Sequence, residues 1–202
     1  MSTETLTKEI TSLSQLDPKG YYTYADYLTW RFKERVELLL GRIFKMSPAP
    51  NVYHQQILRR FMYHFEKYLW NTKCQLFPAP FDVRLPVSMK KGYQDTVVQP
   101  DLVVICDESK LDEQGCNGAP DIVIEILSPG NSRREMKDKF ELYEASLVPE
   151  YWIVDPEHQD ITIYTLDTSN KYVGSKPFVA TEKVCSTVIV DLEVDVEEVF
   201  RK

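Results

Sequence analysis

The stretch PDIVIEIL, residues 120–127, decides the reading of this chain, together with VVQPDLVVIC, residues 97–106, upstream of it. Each run is rich in Val and Ile and passes through Pro-Asp, and a proline at a strand start forfeits no ladder bond. Alternation sets Asp121, Val123, Glu125 and Leu127 on one face of the second run and Ile122, Ile124 and Ile126 on the other. A carboxylate this far into an apolar strand is costly unless a cation, an arginine or a hydrogen-bond network pairs with it. Asp101 opens its own run in a similar setting. If the two runs are neighbouring strands, Asp101 and Glu125 converge on one point. Two carboxylates and a backbone oxygen suit Mg²⁺ (or Mn²⁺), which keeps several waters and takes few protein ligands. A plainer account is that Pro-Asp starts strands for turn reasons, and acids at strand ends are usually solvated.

A lysine normally accompanies such acids. Leu127 stands two residues after Glu125, where a lysine on the same face would fit. The following helix offers a substitute. Its apolar stripe is Met136, Phe140, Tyr143 and Leu147, and at ~100° per residue Lys139 falls roughly 70° from the stripe centre, Lys137 roughly 90°. Lys139 either reaches the sheet from the border of the buried face or snorkels at the surface.

Working outward, VELLLGRIFKM (36–46) reads as a strand hairpin broken at Gly41, ended by Pro48 and Pro50. From Tyr53 to Trp70 the positions Ile57, Phe61, Phe65 and Leu69 recur every four residues, a helix laid across a core. Thr23 with Asp26 opens a short helix with Leu28 and Phe32 on one face, and Ser132 with Glu135 forms a second capping box. EYWIVDP, ITIYTL and VCSTVIV supply further strands, and Trp70 and Trp152 are expected in the core. The tail DLEVDVEEVF suits a half-exposed strand or a subunit contact. This order of helices and strands predicts an α/β (α+β) layer structure with a mixed β-sheet flanked by helices.

Composition narrows the classes. The chain has 202 residues, 43% apolar, enough for one domain, here taken as residues 21–202 behind a flexible lead of 1–20. No apolar run suits a membrane span and no signal-like core is present, so a soluble, cytoplasmic protein without membrane association is expected. Cysteines 74, 106, 116 and 185 form no Cys-x-x-Cys pair, which argues against zinc, and Cys106 and Cys185, in strand-like runs, are expected as buried free thiols. Net charge is −7, yet residues 30–100 hold twelve Lys/Arg against five Asp/Glu while 101–160 hold five against fifteen. A basic half beside an acidic half matches a polyanion-binding face flanking a cation site, or simply two solvated surfaces that differ. No nucleophile elbow, phosphate-binding Gly loop or metal-binding His pair points to other chemistry.

The segments QPDLVVICDESKLDEQGCNGAPDIVIEILSPGNS and KDKFELYEASLVPEYWIVDP, with VELLLGRIFKMSPAPNVYHQQI upstream, closely resemble the Uma-two family of restriction endonuclease-like proteins, within the PD-(D/E)XK nuclease superfamily. The likeness covers about residues 20 to 165. It implies a restriction endonuclease-like core, with Asp101 and Glu125 as metal-binding acids and Lys139 as a catalytic lysine displaced from strand to helix. Glu37 would lie on the entry hairpin, and His54 and Gln55 match the family's helix start, touching phosphate or capping the helix. Asp121 is a further accessory candidate. The implied activity is Mg²⁺-dependent hydrolysis of DNA phosphodiester bonds. The alternative is a weak or inactive nucleic-acid- or protein-binding module on the same fold. A homodimer is the expected assembly where two strands must be cut. One departure stands out: where the family often reads Asp-Gly-Glu, this chain reads Leu40-Gly41-Arg42.

Overall fold

The computed structural model describes residues 9–46, 51–128 and 133–201, the last segment without the side chains of 133–135. The Pro48–Pro50 break and the Ser132–Glu135 capping box lie outside what is described. In chain order the elements are α1 (Tyr24–Tyr27), β1 (Val36–Leu39), β2 (Arg42–Lys45), α2 (Val52–Leu69), β3 (Gln75–Pro78), β4 (Val83–Arg84), β5 (Val97–Val98) and β6 (Leu102–Ile105). There follow β7 (Leu111–Asp112), β8 (Gly115–Asn117), β9 (Ile122–Ile126), α3 (Arg133–Ala145), β10 (Glu150–Asp155) and β11 (Asp160–Leu166). The chain closes with β12 (Tyr172–Gly174), β13 (Lys183–Cys185), β14 (Glu193–Asp195) and α4 (Val196–Phe200).

The central sheet runs β12-β11-β10-β9-β6-β3, with β9 and β10 parallel and the other neighbours antiparallel. A second sheet runs β2-β1-β5-β4-β8-β7, and β13 pairs with β14. The mixed sheets and flanking helices meet the expected fold class.

Alternation in β9 assigns the layers. Ile122, Ile124 and Ile126 join Phe61, Phe65 and Trp152 in one core beneath α2 and α4, while Val123 joins Val103, Leu142 and Tyr143 in a second core under α3. A third core packs the N-terminal segment on β1, with Leu16, Tyr24 and Trp30 buried. Residues 9–20, expected as a frayed lead-in, are therefore partly docked, and Ile10 bridges to Trp30. No helix among the described residues is long and apolar enough to cross a membrane.

Several expectations change. Trp70 is 79% exposed, because it lies 100° beyond Leu69 and thus outside the buried stripe. Thr23 and Asp26 do cap α1 reciprocally, but one turn buries Tyr24 and leaves Leu28 exposed. VCSTVIV contributes strand only through Cys185, and the acidic tail forms β14 and α4, whose Val196, Val199 and Phe200 are buried.

Cys106 is not a free thiol: it forms a disulfide with Cys74. The antiparallel register Gln75↔Ile105 sets these two residues opposite each other at the sheet edge, a proximity that strand-like composition alone does not reveal. Cys116 is buried and free, and Cys185 is exposed and free.

Two leucines hold the left-handed backbone usually given to Gly or Asn. Leu40 (φ 52°) and Gly41 (φ 76°) make the two-residue turn of the β1–β2 hairpin, a geometry that needs positive φ at both positions. Leu147 (φ 61°) ends α3, with Leu147 N–H donating to Glu144 O and Val148 N–H to Tyr143 O. That is a Schellman ending, and it stops the helix before Pro149 does.

Candidate active site

β6 and β9 pair antiparallel with Leu102 opposite Ile124, so one step further along the register Asp101 faces Glu125. Glu125 projects toward α3, while Asp101 lies within reach of His54 on α2. Asp101 Oδ2 accepts the Ile126 N–H at 2.8 Å, which ties this carboxylate across to the neighbouring strand. Its side chain is 22% exposed and that of Glu125 is 13%. The pair therefore sits at the ends of two interior strands, within reach of solvent.

Lys139 reaches this point from α3. The buried face of α3 is Lys139, Leu142, Tyr143 and Ser146, with Leu147 half exposed. The expected stripe is thus rotated toward the lysine. Lys139 Nζ donates to Glu125 Oε1 at 2.9 Å and lies 3.2 Å from Glu37 Oε1. Tyr143, one turn on from Lys139, donates its hydroxyl to the same Glu125 oxygen at 2.7 Å. Glu37, buried on β1, also accepts the Gln99 N–H at 2.8 Å. Lys139 is thus a clasp between two sheets: one acid comes from β9 and the other from the entry hairpin.

The electrostatics follow from burial. Burial pushes the Glu125 carboxyl up to about 7; Lys139 pulls it down, while Asp101 and Glu37 push it further up. Burial works against the Lys139 ammonium, but Glu125 and Glu37 outweigh it and raise Lys139 above its ordinary value. Burial drives the Tyr143 hydroxyl well above its usual range, with Glu125 adding to it, so Tyr143 is a hydrogen-bond donor here and not a base.

His54 approaches from the first turn of α2. Its Nε2 lies 3.3 Å from Asp101 Oδ2 and 3.2 Å from Ile126 O. Both neighbours are acceptors, so Nε2 carries the hydrogen. Burial lowers the imidazole's proton affinity, but Asp101 and the Ile126 carbonyl outweigh burial and leave it raised. Its Nδ1 is buried without a partner.

The remaining candidates separate. Asn51, not His54 or Gln55, caps α2 by accepting the His54 N–H at 2.9 Å, and Gln55 is exposed one residue on. Asp121 accepts the Cys106 N–H at 2.7 Å at the far end of β9, roughly 13 Å along the strand from Glu125. It closes the β6–β9 ladder and stands apart from the acid pair. Arg42 bonds the carbonyls of Lys19 and Gly20, so its charge anchors the N-terminal segment. Sequence reasoning missed Tyr143 as a polar member, although its place four residues after Lys139 puts both on one helix face. It also missed Gln99, whose contribution is a backbone N–H.

Among the described residues, no three His, Cys, Asp or Glu side chains converge closely enough to hold an ion by themselves. The donor set still fits a hard divalent cation. The hydrogen bonds to Asp101 and Glu125 described above fall on Oδ2 and Oε1 respectively, and the Ile126 carbonyl stands beside Asp101. Two carboxylates and one carbonyl, completed by waters, are a magnesium-like set. A cleft of about 550 Å³ opens next to them, lined by Asn51, His54, Leu127, Ser128, Asp155 and Glu157 among others. It lies where α2 begins and where the parallel strands β9 and β10 end.

This arrangement can be set beside known proteins. The family model Uma2, described as "Putative restriction endonuclease", matches residues 24–197. The chain belongs to the Uma2 family. This membership covers every element from α1 to the start of α4, including all the residues of the acid–lysine clasp. Among solved structures, a crystal structure described as a "putative nuclease belonging to DUF820 from Anabaena variabilis ATCC 29413" superposes with a TM-score of 0.68 at 19% identity, covering 88% of this chain and 97% of that one. At that identity the likeness speaks for the fold. No curated protein matches the chain. By its family the chain is a nuclease-like Uma2 protein.

Proposed function

We propose that this Uma2 protein is a divalent-cation-dependent endonuclease that hydrolyses DNA phosphodiester bonds. The observation that carries this reading is the facing of Asp101 and Glu125 across two strands, with Lys139 bonded to Glu125. Asp101, Glu125 and the Ile126 carbonyl would hold Mg²⁺ or Mn²⁺. When bound, the cation makes a water more acidic and offsets the negative charge that gathers at phosphorus. Lys139 holds Glu125 in place and adds a positive charge at the same strand ends. Tyr143 donates to the same Glu125 oxygen as Lys139, which leaves the other oxygen for the cation, and His54 fixes Asp101. Strand backbone beneath and helix above keep the acids from turning away, so geometry is prepared before substrate arrives. The cleft beside His54 gives the nucleic acid its approach, and exposed Lys/Arg of residues 30–100, other than Arg42 and those on the outer face of α2, contact backbone phosphates.

A second reading has one observation in its favour. Lys139 already balances Glu125 and Glu37 without any cation, as a non-catalytic binding module would require. Supercoiled plasmid incubated with the protein and Mg²⁺ or Mn²⁺ separates the two. Cleavage lost in Asp101→Ala, Glu125→Ala and Lys139→Ala alike is the expected result. Cleavage that survives both acid substitutions overturns the site, and a wild-type protein that neither cuts nor gains thermal stability from Mn²⁺ supports the binding module.

A further inference from the structure

The outer face of α2 carries chemistry that the site does not use. At ~100° per residue, Val52, Arg59, Tyr63 and Trp70 fall within about 20° of a single line along the helix. That line lies opposite Phe61, at the centre of the buried face. Val52 is 75% exposed, Tyr63 67% and Trp70 79%, which places three of the most exposed large apolar side chains among the described residues on one stripe. Isolated exposed apolar residues are ordinary; an aligned row of them marks an interaction surface.

The spacing of the row is the informative part. Steps of seven, four and seven residues read the same from either end, about a centre at Phe61. A helix with such a row is complementary to itself when reversed. We propose that the outer face of α2 is a dimer surface that docks antiparallel on α2 of a second copy of this chain. A two-fold axis at residue 61 sets Val52 against Trp70 of the second copy, and Arg59 against the ring of Tyr63. A guanidinium over a tyrosine face is a favourable pairing, and Glu66, one turn beyond Tyr63, supplies the opposite charge to the same Arg59. The same reversal sets Gln55 against Lys67. Each contact occurs twice, as an isologous interface requires.

Charge favours a second copy over a nucleic-acid strand on this face. A polyanion calls for an unbroken row of cations, whereas here apolar residues hold both ends and Glu66 sits among Arg59 and Lys67. One 18-residue helix is about 27 Å long, so a helix pair alone lies toward the small end of protein interfaces, and dimer and monomer are expected to exchange.

Sedimentation equilibrium of the full chain over a wide concentration range tests this directly. A monomer–dimer equilibrium is expected, with Trp70 emission moving to shorter wavelength as dimer forms, since Trp30 and Trp152 are already buried. Tyr63→Glu and Arg59→Glu should each weaken dimerisation at least about tenfold. The double variant Arg59→Glu/Tyr63→Arg, which restores an opposite-charge pair across the two-fold, should recover it. A chain that stays monomeric throughout, a dimer indifferent to Tyr63→Glu, or Trp70 emission that answers a short single-stranded oligonucleotide but not protein concentration would each overturn the proposal. All three substitutions sit on an exposed face, and circular dichroism confirms that the variants are folded.

Discussion

The two faces of strand β9 are built from one sequence and do opposite work. Toward α2, Ile122, Ile124 and Ile126 meet Phe61, Phe65 and Trp152 in a dry core. Toward α3, Val123 gives way to Glu125, which meets Lys139, Tyr143 and, through the lysine, Glu37. The first face gains stability from area removed from water. The second places two buried carboxylates on one ammonium, an arrangement that an apolar filling of equal shape would match or better in stability. On the α2 side of β9 the polar contact is His54 against the Ile126 carbonyl at the strand's end, next to the point where β6 and β9 leave Asp101 and Glu125 opposed.

The strongest test of the dry face is Phe61→Ala, which should cost about 4 kcal/mol in urea unfolding through lost burial and a residual cavity. A cost below about 1 kcal/mol would mean that this face is not the keystone of the fold. On the polar face, Lys139→Met should cost about 3 kcal/mol, because it strands Glu125 and Glu37 without their partner. Combining it with Glu37→Gln and Glu125→Gln should return most of that loss; failure to do so would show that the lysine's alkyl packing, not its charge, matters.

A smaller effect separates the faces by pH. Glu125 holds its proton up to about 7 in the folded chain against an ordinary value of 4.5. The folded state therefore binds the proton more tightly than the unfolded one. Glu125 thus favours folding most below pH 4.5 and disfavours it progressively as pH rises to about 7. Glu125→Gln, which keeps a neutral side chain at every pH, should remove that decline. Denaturation midpoints at a series of pH values check this, and an unchanged decline in the variant refutes the assignment. Smallest of all, Leu147→Gly should stabilise the chain by about 0.5–1 kcal/mol, since Leu147 is half exposed and holds a φ of 61° at the end of α3. A loss of thermal stability there would mean that the leucine packs in some way its exposure hides.

Much of this was legible in the residues because periodicity is local. Alternation in PDIVIEIL separates the two cores, and the four-residue recurrence from Ile57 to Leu69 places α2 across one of them. The rotation of α3 was less legible. Its stripe was read through Met136 and Leu147, yet Leu147 belongs to the helix ending, and without it Lys139 moves from the border to the buried face. Trp70 was misread by type, since size suggests burial while its angular position denies it. The Cys74–Cys106 pairing and the clasp of Glu37 to Glu125 depend on strand register and sheet stacking, which a single chain's pattern does not encode.

The helix-borne lysine has one more consequence. Asp101 and Glu125 belong to strands that pair with each other, so a loosened chain that keeps its sheet would keep both acids opposed. Lys139 arrives only when α3 seats on that sheet and the β1–β2 hairpin presents Glu37 from the other side. Completion of the constellation is therefore a readout of finished folding. A newly made or heat-damaged molecule, secondary structure intact but layers unseated, would carry two loose acids and no tool, which is a useful safeguard for a protein whose proposed target is the cell's own kind of polymer.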